Sequence, residues 1–326
     1  VRAFVALLAA VTTLSACATA LPTPDAAPPA AVAPPALTVT QSAAVLADLG
    51  SVLATGDQAL DPTQLAPRVI GPALAMRAAE YQRDKATGGQ RTPTALPTKV
   101  QVQIVPQTTA WPRVELVVTE QPDDLQAPRV LVLEQVTPRD RYALWGWARM
   151  LPNASTPALA EATKGSPVLP VDDAGLAMRP DQVMPAYADA LANGDASAAA
   201  ASFAADQFRD QVTQNRQTLT ANVQDVGQVA ETYTPSGPPL TVIGDADGGA
   251  LVVGSMATVS TVTITLAGAK LTLSPTESAA AGAAEAGTSL VRTYTDVLVF
   301  HVPKAGSGQP VQLIAAESVL TAVAAQ

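Results

Sequence analysis

An α+β fold, built twice over, is what the sequence predicts, and three observations carry the prediction. Two helical patterns each precede a run of apolar strands, the strands within each run are separated by turn residues, and the pentapeptides Leu53–Asp57 (LATGD) and Leu191–Asp195 (LANGD) recur at matching places in the two helical stretches. Helices followed by meandering strands indicate helices packed on one face of an antiparallel sheet. A five-residue match is weak alone, so the order of elements around it supports the duplication.

The chain opens with a segment of different character. Arg2 stands alone before Ala3 to Ala16, an uncharged and mostly apolar run. At about 14 residues it is shorter than the ~20 that cross a bilayer as a permanent helix, so residues 1–16 predict a cleaved secretion signal. It ends Leu14-Ser15-Ala16-Cys17, which resembles the signal of bacterial lipoproteins. That resemblance implies transfer of a diacylglyceryl group to the Cys17 thiol, cleavage between Ala16 and Cys17, and often acylation of the new N-terminus by a palmitate-like chain, an anchor on the outer face of the cytoplasmic membrane. The alternative is an ordinary signal with Cys17 unmodified. Against it, Cys17 is the chain's only cysteine, and an exported protein with one thiol has nothing to pair it with. Residues 17–36 are rich in Pro and Ala and favour extended conformations, a tether that spans up to roughly 60 Å.

Composition bounds the remainder. Apolar residues make up 48% of the chain but aromatics only 4%, so small-residue cores of Ala, Val and Leu are expected. A net charge of −9 disfavours nucleic acid and anionic headgroups as partners, so no nucleic acid is expected and membrane contact is left to the lipid anchor. Five Lys and abundant Ala suggest a GC-rich host such as an actinobacterium.

Within the first predicted domain, 37–160, a helix is expected from about Thr40 to Ala54 with Gly56 as terminator. Asp61 then N-caps a second helical stretch with Pro62 at its first position, and Leu74, Ala78 and Tyr81 point inward. KVQVQIV alternates Val100, Val102 and Ile104 against Lys99, Gln101 and Gln103, and RVELVVTE, RVLVLEQV and RYALWGWARM follow as strands. Residues 161–178 are the expected connector. In the second domain, 179–326, Pro180 and Asp181 open a helix through Val183, Tyr187 and Leu191, capped by Gly194. Asp195 is placed to cap a helix over Ala196–Ala204. Asp206 caps another with Phe208, Val212 and Leu219 on one face. ALVVGSMATVSTVTITL, KLTLS, TSLVRTYTDVLVFHVP and VQLIAAESVLTAV are the expected strands, with PTESAAAGAAEAG a mobile insert.

The stretch PAYADALANGDASAAAASFAAD is similar to the opening of nuclear-transport-factor-like or SnoaL-like domains, in which a helix, an Ala-x-Gly-Asp turn and a second helix ending in Phe-Ala precede a curved sheet. The likeness covers about forty residues in each copy, and the chain resembles uncharacterised actinobacterial lipoproteins, which implies two cone-like domains in tandem, each with a curved sheet, and brings no known activity.

No catalytic set or metal site is legible, and no cofactor is expected. The sole histidine, His301, alternates with Phe300 and Val302 in a strand, and no G-x-S-x-G or S-x-x-K pattern accompanies it. Gly244–Gly249 (GDADGG) has two Asp at alternate positions but lacks the later carboxylate of a calcium loop, and reads as a hairpin turn. The resemblance raises isomerase-like chemistry, for which Tyr187 and Asp296 are candidates. Tyr187 reads more simply as packing and Asp296 as a solvated strand residue. Trp145 and Trp147, flanking Gly146 in one strand, with Trp111 and Tyr142, are the candidate ligand or partner contact; the same rings are also the expected fillers of an Ala-rich core. The reading is a lipid-anchored binding or scaffolding protein, its partner a small apolar ligand or an envelope protein. An isomerase-like enzyme for an apolar small molecule and a purely structural partner of envelope machinery stand as alternatives.

Overall fold

A computed structural model describes residues 32–326, apart from 124 and 125. The expected signal, Cys17 and most of the expected tether lie outside the described residues. At the end of the segment read as a tether, the Ala36 amide donates to the Pro106 carbonyl at 2.8 Å. No helix among the described residues is long and apolar enough to cross a membrane.

The architecture is α+β, a few helices against one large antiparallel sheet. In chain order the elements are α1 (Val39–Ala59), a 3-10 turn (Pro62–Leu65), α2 (Gly71–Ala86), β1 (Val100–Ile104), β2 (Pro106–Gln107), β3 (Arg113–Thr119), β4 (Arg129–Gln135), β5 (Ala143–Met150) and β6 (Ser166–Pro167). Then come α3 (Pro180–Asn193), two 3-10 turns (Gly194–Ala196, Ala200–Ser202), α4 (Gln207–Val223), β7 (Gly227–Pro235), β8 (Thr241–Gly244), β9 (Ala250–Ile264), β10 (Leu271–Thr272), α5 (Pro275–Ala281), β11 (Glu285–Ala286), β12 (Ser289–Val302) and β13 (Gln312–Ala325).

Capping explains the helix starts. Thr38 and Gln41 form a capping box on α1, and Asp206 accepts the Arg209 amide at 2.8 Å to start α4. Gly194 ends α3 at a positive φ of 56°. The end of α1 differs from expectation. Gly56 does not terminate it; the helix runs on to Ala59 and Leu60 makes the left-handed turn. Gly56 is there for space, because a Cβ would sit 2.5 Å from Leu65 and 2.7 Å from the Tyr81 hydroxyl. The LATGD segment is therefore helical where LANGD forms a helix end. On α2 the inward residues are Ala73, Met76, Arg77, Glu80 and Tyr81, while Leu74 and Ala78 are only half-buried.

Two further expectations are corrected. No helix spans 196–204: the Ser197 hydroxyl donates to Asp189 at 2.5 Å and accepts from the Ala199 amide, and Phe203 is drawn straight to bridge Val311 and pack edge-on against Tyr187. A side chain that bonds its own backbone competes with helix. The 275–287 insert carries secondary structure, with α5 started by a Ser274–Glu277 capping box and flanked by the β10–β11 pair. KLTLS contributes to that ribbon and not to the large sheet.

The sheet order is β1-β3-β4-β5-β13-β12-β9-β7, with β8 on the remaining stretch of the β9 edge. Each half supplies a meander, and the two meet at their last strands, so the order reads alike from both ends. Only Ala315↔Met150 and Ala316↔Arg149 join β5 to β13. The two halves do not keep separate cores. The largest apolar cluster combines Leu46, Leu49, Leu65, Met76, Leu131 and Trp147 with Leu251, Val253, Val297 and Val299. A second cluster, of Val183, Met184, Tyr187, Leu298 and Phe300, lies between α3 and the other face of the second half's sheet.

Candidate functional site

Strand periodicity builds the floor of a cleft in the second half. Residues two apart share a sheet face, and residues directly opposite on neighbouring strands share it too. Three rows result: Glu231, Ser260 and Arg292; Tyr233, Thr258 and Tyr294; Met256, Asp296 and Ser318. The roof is α4, whose Phe208, Val212 and Leu219 stay half-buried because the helix stands off the sheet. The space between holds about 350 Å3, within the roughly 300–1,000 Å3 of small-molecule sites.

Arg216 of α4 holds roof to floor. Its Nε donates to Glu231 at 2.8 Å, its Nη2 to the Tyr233 hydroxyl at 3.1 Å, and its Nη1 to the Ala192 carbonyl at 3.0 Å. Tyr233 in turn donates to Glu231 at 2.6 Å, and burial followed by that carboxylate keeps its phenol pKa high. At the other end Arg292 Nε donates to Glu277 of α5 at 2.6 Å. Burial works against the ionised Glu277, but the Ser274 cap and Arg292 outweigh it and hold the carboxyl below its ordinary range.

Asp296 is not solvated. It is 0% exposed in the middle of β12, with the Thr258 hydroxyl donating to it at 2.5 Å and Ser318 opposite it on β13. Burial raises its pKa to about 6, and the Ser318 and Thr258 hydroxyls offset only part of that. Thr258 and Ser318 line the cleft and screen the carboxyl from it. Tyr187 packs as expected, edge-on to Phe203 and Phe300, with its hydroxyl donating to Asp206 at 2.8 Å.

The tryptophans do not gather into one site. Trp147 is 0% exposed, its ring 5.9 Å from the Arg77 guanidinium of α2. Trp145 is half-buried against Gly71 at the start of α2. Trp111 is 37% exposed, donates to Gln135 at 3.1 Å and carries the Arg113 guanidinium 3.9 Å over its ring. Tyr142 is buried, and burial pushes its phenol up to about 12. His301 meets Asp245 at 2.9 Å, and Asp245 also accepts the amides of Asp247 and Gly249, so the GDADGG segment is a self-bonded turn. Among the described residues no group of three or more His, Cys, Asp or Glu is placed to hold a metal ion.

No strand is expected at β7 from the sequence, so Glu231 and Tyr233 go unnoticed, while Ser260 and Arg292 fall in expected strands without standing out. The available signal was period-two polarity inside strands that face the helices: Glu231 and Tyr233, then Thr258 and Ser260, then Arg292, Tyr294 and Asp296.

One family matches this chain, over residues 33–325, and its description is Domain of unknown function (DUF8094). The chain belongs to the DUF8094 family. No curated protein and no solved structure matches it. The cleft, both meanders and the β5–β13 join all fall inside the DUF8094 match.

Asp296 gives this DUF8094 domain a distinctive pH response. Its folded pKa of about 6 lies above the 3.8 of a free Asp side chain, so between those pH values the folded state binds more protons than the unfolded one. Stability from this group is therefore lost as pH rises through that window, by about 3 kcal/mol at full ionisation. Asp296→Asn is expected to leave stability at pH 4 nearly unchanged and to raise it at pH 7 by about 1–3 kcal/mol. Urea denaturation at the two pH values checks this.

Proposed function

We propose that this chain is an exported, lipid-anchored binding protein of the bacterial cell envelope, formed of two nuclear-transport-factor-like halves, the second of which holds a small ligand beneath α4. The observation that carries the reading is the stand-off of α4, which leaves the apolar stripe of Phe208, Val212 and Leu219 over an open space instead of a packed core. The repeated order of helix, 3-10 turn, helix and meander in 37–160 and 179–326 supports the tandem reading, and the single Cys17 after Leu14-Ser15-Ala16 supports the anchor. Binding is favoured over catalysis because Glu231 is engaged by Arg216 and Tyr233, and Asp296 is screened by Thr258 and Ser318. The raised pKa of Asp296 is what favours the second reading, an isomerase-like enzyme for an apolar small molecule.

Two variants test the proposal. Cys17→Ala is expected to move the protein from the membrane fraction to the soluble one; unchanged partitioning removes the anchor. On that soluble full-length chain the fluorescent apolar probe N-phenyl-1-naphthylamine is expected to bind saturably, and adding Val212→Trp, which fills the cleft, to abolish the signal. Equal binding with and without the tryptophan would place the ligand elsewhere.

A further inference from the structure

Two donors in the cleft wall have no partner. Ser260 is 3% exposed and its Oγ makes no hydrogen bond, and directly opposite it across the β9–β12 ladder the buried Nη1 of Arg292 makes none either. Buried polar groups are nearly always satisfied, and each exception calls for a reason. The neighbouring polar side chains are already engaged: Glu231 with Arg216 and Tyr233, Thr258 with Asp296, and Arg292 Nε with Glu277. What the wall offers is thus a pair of donors with no matching acceptor, and the missing acceptor has to arrive with a ligand.

Charge narrows the class. Arg216 is neutralised by Glu231 and Arg292 by Glu277, and Asp296, buried in the floor, adds negative charge when ionised. No net positive charge remains to repay the desolvation of an anion, and no unpaired carboxylate faces the cleft to receive a cation. The roof is hydrocarbon on one side, from Phe208, Val212 and Leu219.

Resting on the cleft as a binding site, we infer that its ligand is an uncharged amphiphile carrying a carbonyl oxygen, of the ester or ketone class, accepted between Ser260 and Arg292 with its apolar body under α4. Both side chains line the cleft and stand opposite one another on neighbouring strands, so one carbonyl oxygen between them accepts from both.

Three decyl compounds with different heads test this on the soluble Cys17→Ala full-length chain: glycerol monodecanoate, decanoate and decylamine, each displacing N-phenyl-1-naphthylamine. The glycerol ester is expected to displace the probe at concentrations at least tenfold below the other two. Ser260→Ala is expected to weaken the ester about tenfold and leave decanoate and decylamine within twofold. Arg292→Lys, which keeps the charge opposite Glu277 but lacks the second nitrogen, should do the same. Ser260→Ala removes an unpaired hydroxyl, so its melting temperature should match or exceed that of the parent. If the probe binds and Val212→Trp abolishes it, yet the three heads compete equally or both variants are without effect, the donor pair is not the selector and only this inference falls. If the probe does not bind the parent chain, the binding reading falls with it.

Discussion

Arg77→Met is expected to destabilise the protein by about 3–5 kcal/mol, the range for removing one partner from a buried ionic network. Arg77 is 1% exposed and sits on α2 with Asp57 of α1 at 2.6 and 2.9 Å, Glu80 at 2.9 Å and the Thr94 carbonyl at 2.6 Å. Burial lowers its pKa, but the charges of Glu80 and Asp57 more than restore it, so the guanidinium stays ionised. Without it the equally buried Glu80 has only Thr94 and, at 3.6 Å, Arg83 to face, and Asp57 loses the fork that ties α1 to α2. Urea denaturation at neutral pH reads the loss directly. A change under 1 kcal/mol would mean that the network relaxes into water.

Trp147→Ala is expected to cost a similar 3–5 kcal/mol through lost burial and the cavity left behind. The indole lies between α2 and β5 within the cluster shared by both halves, so the cavity opens at a place where neither half can collapse alone. Trp111→Ala, at 37% exposure, should shift stability by less than about 1 kcal/mol. Thermal denaturation of the two variants separates them. A small effect at Trp147 would revive that ring as a contact for a ligand or partner.

Local patterns made the α+β class legible. The apolar, β-branched runs in RVLVLEQV and TSLVRTYTDVLVFHVP, the Asp206 cap and the Gly194 stop each express a preference of a few neighbouring residues, and each stands where expected. The misses have a common cause. Gly56 reads locally as a stop, but the space it occupies is set by Leu65 and Tyr81. Asp296 reads as solvated, but what buries it are the strands on either side, brought there by pairings with Met256 and Ser318. The aromatic residues drew the search for a site to the first half, where Trp147 fills the core. The cleft wall in the second half is made of Ser, Thr, Tyr, Arg and Glu, which single strands carry equally often on a wet face. Only the position of α4 distinguishes the two.

The join between β5 and β13 also orders events in time. Strand β5 ends at Met150 and its partner begins at Gln312, about 160 residues later. Until that last hairpin is delivered, β5 presents a row of unpaired amides and carbonyls beside Trp147 and Ala148, an open edge of the kind that recruits other chains. A chain that emerges in order thus carries a sticky, half-closed first half for most of its passage, and contacts this distant in sequence form slowly. The risk of misassembly falls in that interval, and a holdase acting on the emerging chain would find its surface there.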